Sequence, residues 1–127
     1  MTLLKKASYW LPALLWMSII FYLSSKQSPT HSNILAWLGH LIEYSTLAFL
    51  LMIALTATVK LTRRRLILAA AFIAIFYGAT DEVHQLFVPG RFADLSDLYM
   101  DGLGAIVGIT FFVAFNAFLG RLFNRKY

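Results

Sequence analysis

Residues 66–120 read LILAAAFIAIFYGATDEVHQLFVPGRFADLSDLYMDGLGAIVGITFFVAFNAFLG, and the architecture follows from them. Two apolar runs, about 66–88 and about 98–120, flank the turn signal Pro89-Gly90-Arg91. Each run is long enough to cross a bilayer, which takes about 20 residues at a rise of about 1.5 Å each. The connection is short, so the two helices are antiparallel neighbours. Carboxylates occur in both runs, but only at the ends that meet at the turn.

Outward from this pair, two more runs appear, at about 35–59 and about 7–25. The sequence therefore predicts an all-α integral membrane four-helix bundle, a single domain over residues 1–127. Composition agrees, with 60% hydrophobic and 13% charged residues, against about 25% charged in soluble domains. A soluble domain this small could not hide so much apolar surface; the lipid bilayer is the partner it requires. The first run follows Lys5 and Lys6 as a signal peptide would. It is too long for a signal core, however, and no small-x-small cleavage site follows it, so it is read as a retained span that leads into a polar loop before Pro29. With no cysteine in the chain, disulfides and thiolate metal sites are excluded. The net charge of +5 does not indicate nucleic acid, because no basic stretch is interleaved with aromatics as such binding requires.

The basic residues give an orientation. Lys5 and Lys6 precede the first run, Lys60 and Arg63 to Arg65 separate the second and third, and Arg121, Arg125 and Lys126 follow the fourth. These make nine of the 11 Lys and Arg on one side, against Lys26 and Arg91 on the other. Positive loops stay inside, so both termini are expected in the cytoplasm. Tyr9, Trp10, Phe21, Tyr22, Trp37 and Phe123 lie near span ends as interfacial anchors; Trp16 is mid-span and does not fit that role.

All six acids then fall toward the outer face: Glu43, Asp81, Glu82, Asp94, Asp97 and Asp101, accompanied by His40, His84, Gln85 and Arg91. Counted from the inner ends of their runs, Glu43 stands about 24 Å up and Asp81 about 22 Å up, in the outer third of a core about 30 Å thick. His40, Glu43 and Tyr44 share one side of their helix, and Tyr77, Asp81, His84 and Gln85 share one side of the next, with Glu82 turned about 100° away. On the last run Asp94, Asp97, Asp101, Gly104 and Gly108 form one stripe, acidic at the top and glycine below. Glycines four apart let helix backbones approach closely in lipid, so the stripe would turn its carboxylates inward.

One Arg cannot neutralise this array, so the cluster suits a cation, an amine or shared protons. Two histidines with carboxylates make a divalent cation one candidate ligand, although no segment has a strong metal spacing. Crowding and burial raise carboxyl pKa values, which is how general acids are made. Ser96 beside Asp97 reads as a helix-start residue rather than a nucleophile. Arg91 reads equally as part of the turn and as an anchor for phosphate or carboxylate.

Three segments carry a family resemblance: WMSIIFYLSS at 16–25, GHLIEYSTLAF at 39–49 and YGATDEVHQLFVPGRFADLSDLYMDGLGAIVG at 77–108. In order and content the chain resembles the VanZ-like family of bacterial membrane proteins, matching at His40, Glu43, Asp81, Glu82, His84, Gln85, Arg91 and Asp97. Asp101 departs from it, standing where Asn is more usual in the family. The resemblance implies a multi-pass protein of the bacterial cytoplasmic membrane. The family is named for resistance to teicoplanin, a lipoglycopeptide that acts outside that membrane.

The expected function is an outward-facing polar pocket that acts on or shields a cell-envelope lipid or an amphiphilic antibiotic. Glu43 and Asp81 are its central groups and His40 and His84 their proton or metal partners, the set a catalytic site would use. Tyr44, Glu82, Gln85, Arg91, Asp97 and Asp101 complete the ligand-binding wall. Two alternatives stay open: a membrane enzyme acting on a lipid-linked substrate, and a structural subunit whose polar cluster only sets helix register; a homo-oligomer is a candidate partner state.

Overall fold

The computed structural model describes residues 2–26 and 33–124. Pro29, Arg125 and Lys126, and the side chain of Phe123, lie outside the described residues. Four helices account for the fold: α1 (Leu3–Ser24), α2 (Asn33–Thr58), α3 (Arg63–Gln85) and α4 (Leu95–Asn124). All four are long and apolar enough to cross a membrane. Antiparallel succession gives the bundle two unlike ends. The start of α1, the α2–α3 connection and the end of α4 form a basic end; the α3–α4 connection marks the acidic one.

The helix limits differ from the apolar runs because capping chemistry, not hydropathy, sets them. α1 begins at Leu3, four residues before the run, with the Thr2 hydroxyl accepting from the Lys5 N–H at 3.4 Å. α3 stops at Gln85 rather than near Val88. Residues 86–90 close a series of turns, in which Phe87 N–H donates to the His84 carbonyl at 2.9 Å and Arg91 N–H to that of Val88 at 3.1 Å. Gly90 takes φ +80°, a left-handed conformation that suits glycine. α4 starts at Leu95, three residues early, because Asp94 caps it by accepting from the Ser96 N–H at 2.8 Å. The helix-start role read for Ser96 therefore belongs to Asp94.

Packing follows small residues. The positions where Gly104 and Gly108 would carry a Cβ fall against the α2 backbone. At Gly104 the nearest atoms are the Leu41 carbonyl at 2.7 Å and the Ser45 nitrogen at 3.1 Å; at Gly108 the nearest is the Ser45 carbonyl. Any side chain there would push α4 off α2, which explains why this is the most extensive helix pair. On α3 the buried stripe runs Leu66, Ala70, Ala74 and Gly78, then Asp81, Glu82 and Gln85, apolar at the basic end and polar at the other. α1 lies at the edge and buries Ala13, Ile20 and Ser24. Large apolar side chains such as Leu14, Phe72, Phe76, Ile106, Phe111 and Phe118 point outward and are more than half exposed. Such a surface is suited to lipid rather than water.

All three tryptophans tie helices together through the indole N–H, which must find a partner once water is removed. Trp10 donates to Thr58 Oγ1 at 3.1 Å, Trp37 to Ser96 Oγ at 3.2 Å, and mid-span Trp16 to the Glu43 carbonyl at 2.8 Å.

Candidate functional site

The close α2–α4 seam continues upward into the polar cluster. One turn above Gly104, Asp101 is fully buried and its Oδ1 lies 2.8 Å from His40 Nδ1. With Asp101 ionised, Nδ1–H is the donor. The other ring nitrogen, Nε2, faces Asp97 Oδ2 at 3.6 Å. Gly78 of α3 makes room for this arrangement: a Cβ on it would lie 2.6 Å from Asp101 Oδ2. Below His40 the Tyr44 ring lies parallel to the imidazole within 5°, centroids 6.4 Å apart.

Glu82, predicted to turn away from the Asp81 face of α3, is nonetheless buried. Its Oε2 accepts from the Asp94 N–H at 2.8 Å, tying the end of α3 to the start of α4. Asp94 itself is exposed, and the N–H and hydroxyl of Ser96 hold its carboxyl below the usual carboxylate range.

His40 also lines a cavity of about 250 Å³. Its polar wall is formed by Gly39, His40 and Glu43 of α2, Asp81 and Gln85 of α3, and Arg91 from the connection. Gln85 Nε2 donates to Asp81 Oδ2 at 3.2 Å. The remaining lining is Leu23, Ser24, Leu35 and Ala36. Leu23 is 45% and Leu35 66% exposed, so the cavity reaches the surface between α1 and α2 past an apolar rim.

The structure thus divides the predicted site residues. His40, Glu43, Asp81, Gln85 and Arg91 meet at the cavity. Glu82, Asp97 and Asp101 gather near His40 without lining the cavity, and Tyr44 stacks below it. His84 joins neither group. Its Nε2 is 2.9 Å from Ser25 Oγ and its ring packs on Phe21 at 4.3 Å, both residues of the α1 end. Tyr77, on the same predicted face, also turns to α1 and donates to the Met17 carbonyl at 2.6 Å. Periodicity gives the side of a helix but not which of two neighbours that side meets.

Sequence reasoning missed Ser24, Gly39, Gly78 and Trp16. Only Trp16 carried a usable signal, an indole N–H placed mid-span where it needs an acceptor.

Six buried polar atoms have no hydrogen-bond partner among the described residues: Ser24 Oγ, Tyr44 OH, Asp81 Oδ1, Glu82 Oε1, Arg91 Nε and Asp101 Oδ2. All belong to the acidic end. Such atoms cost roughly 1–3 kcal/mol each when left unpaired, so their concentration here marks the region that protein contacts alone leave unfinished. One ring nitrogen of His40 and one oxygen each of Glu82 and Asp101 also lie within 4.8 Å of one another, close enough to hold a metal ion.

No curated protein and no solved structure gives a significant match to the chain. The family model VanZ/LLP1 matches residues 9–116, which take in α2, α3, most of α1 and α4 and every residue of the cavity wall, and the chain belongs to the VanZ-like family.

Proposed function

We propose that this protein binds an amphiphile of the bacterial cell envelope, with the polar head in the Glu43–Asp81–Arg91 cavity and the apolar tail along the α1–α2 rim. The observation that carries this reading is the cavity's two-sided lining, with carboxylates and a guanidinium inside and exposed leucines at the mouth. Arg91 suits a phosphate or carboxylate of the head group, while Glu43 and Asp81 suit an amine. The excess of Lys and Arg at the basic end supports a cytoplasmic position for that end, with the cavity opening on the outer side of a bacterial cytoplasmic membrane. Envelope lipids and lipoglycopeptides of the teicoplanin kind are both amphiphiles met on that side. Binding would shield such a molecule, or hold it for chemistry in which Glu43 or Asp81 exchanges protons.

A purely structural network is the weaker reading. Polar groups kept only for register are expected to satisfy one another, and the partnerless atoms of Asp81 and Arg91 belong to cavity-lining residues.

Native mass spectrometry of the wild type beside a Glu43→Gln, Asp81→Asn double variant, each released gently from its membrane, tests the proposal. The expected result is an amphiphile mass retained by the wild type and lost from the variant. Two folded, bare proteins of equal oligomeric state would sink it.

A further inference from the structure

The carboxylates of Glu82, Asp97 and Asp101 do not line the cavity. His40, Glu82 and Asp101 come from α2, α3 and α4, so the three helices converge there. All three residues are buried, and their donor atoms lie within 4.8 Å of one another. Two of the carboxylate oxygens, Glu82 Oε1 and Asp101 Oδ2, are buried and lack a hydrogen-bond partner among the described residues, on residues 93% or more buried. Asp97 adds a further oxygen 3.6 Å from His40 Nε2. Arg91 lines the cavity and makes no ion pair with these carboxylates among the described residues. Three carboxylates around one imidazole in an apolar bundle carry more negative charge than a single imidazolium offsets, a balance that a bound cation would supply.

We infer that His40, Glu82 and Asp101, with Asp97 beside them, form a binding site for one divalent transition-metal cation. One imidazole with carboxylates is the donor set of Zn²⁺ or Mn²⁺, whereas Ca²⁺ and Mg²⁺ prefer oxygen alone. Donor atoms on one such ion stand about 3–4 Å apart, given bonds of about 2.0–2.2 Å, so modest side-chain rotation closes the site. Gly78 keeps the space into which Asp101 Oδ2 points. The histidine pair that the sequence suggested is replaced here by one histidine and Glu82, because His84 is held at α1. A bound ion would pin α2, α3 and α4 together immediately behind the cavity wall that His40 shares. This inference stands independently of the amphiphile proposal.

The test is metal analysis of full-length protein purified without chelators, followed by titration with Zn²⁺ and with Mn²⁺ while thermal unfolding is monitored. The wild type should take up about one equivalent and melt at a higher temperature with metal, since a ligand that binds only the folded state raises stability. Glu82→Gln and Asp101→Asn should each weaken binding by about tenfold or more, while Trp10→Phe, toward the basic end, leaves it unchanged. The wild type with Mn²⁺ should also show ¹⁴N hyperfine coupling from His40, a readout that needs no variant to fold. A folded wild type that takes up no equivalent, uptake that survives both Glu82→Gln and Asp101→Asn, or bound Mn²⁺ without nitrogen coupling would each overturn the site. Loss of metal binding with the amphiphile retained, or the converse, separates this inference from the cavity proposal.

Discussion

The two ends of the bundle are built from the same four helices but follow different rules. Toward the basic end, α2, α3 and α4 meet through Leu51, Met52, Leu55, Leu66, Ala70, Ile109 and Phe112, and packing alone completes the interior. Toward the acidic end the same stripes carry His40, Asp81, Glu82, Gln85 and Asp101, and every partnerless buried polar atom among the described residues is found there. In lipid, apolar contact gives little drive for association, so the apolar half depends on close fit. Unpaired polar groups are costly in the same medium, so the polar half is suited to something that it binds. One half is finished by shape and the other is left for chemistry to finish.

Substitutions can break or sharpen this contrast. The largest effect is expected from Gly108→Leu, because the new side chain meets the Ser45 carbonyl and separates α4 from α2. The loss should reach or exceed the top of the roughly 1–3 kcal/mol range for overpacking, read as a fall in the thermal midpoint in detergent with loss of the monodisperse species. Gly78→Ala sharpens the comparison, since the three atoms nearest its methyl all belong to the Asp101 side chain. It should cost about 1–3 kcal/mol and leave the apolar half intact, which hydrogen exchange resolved by segment would detect as deprotection near His40 and not near Ile109. If both segments loosened together, the two halves would be a single cooperative unit.

Trp16→Phe removes the donor to the Glu43 carbonyl and should cost about 1 kcal/mol, seen as a lower thermal midpoint with the helix content unchanged. The smallest effect belongs to Asp94→Ala, which deletes the exposed cap of α4. The carboxyl of Asp94 is held below its ordinary range, so the ionised form is favoured by folding. Its contribution is therefore present at neutral pH and lost as pH falls through the folded pKa. The difference in thermal midpoint between wild type and Asp94→Ala should shrink toward zero under acid.

Much of the site was legible because two independent periodicities agreed on it. Helical counting put Glu43 and Asp81 at similar heights, and both line the cavity. The stripe of Asp101, Gly104 and Gly108 pointed to a close seam, and the glycines do meet the α2 backbone. Counting failed where a helix face has two neighbours. Tyr77, His84 and Asp81 share a side of α3, yet Tyr77 and His84 bond to α1 while Asp81 faces the cavity. At Glu82 the count gave the turn away from Asp81, and the tertiary structure shows that this turn leads toward α4 and burial.

Sequence alone determined that four helices form, roughly where each begins and ends, and that the carboxylates collect at one end. These are properties of single segments, set by apolar length, by glycine spacing and by the absence of acids from the rest of the chain. Only the tertiary structure decided that His40 divides those carboxylates into a cavity wall and a buried cluster, and that His84 belongs to neither. That outcome depends on which helices touch. In this protein it follows from how far the small residues of α4 and α3 let the backbones approach α2, a distance that no single segment encodes.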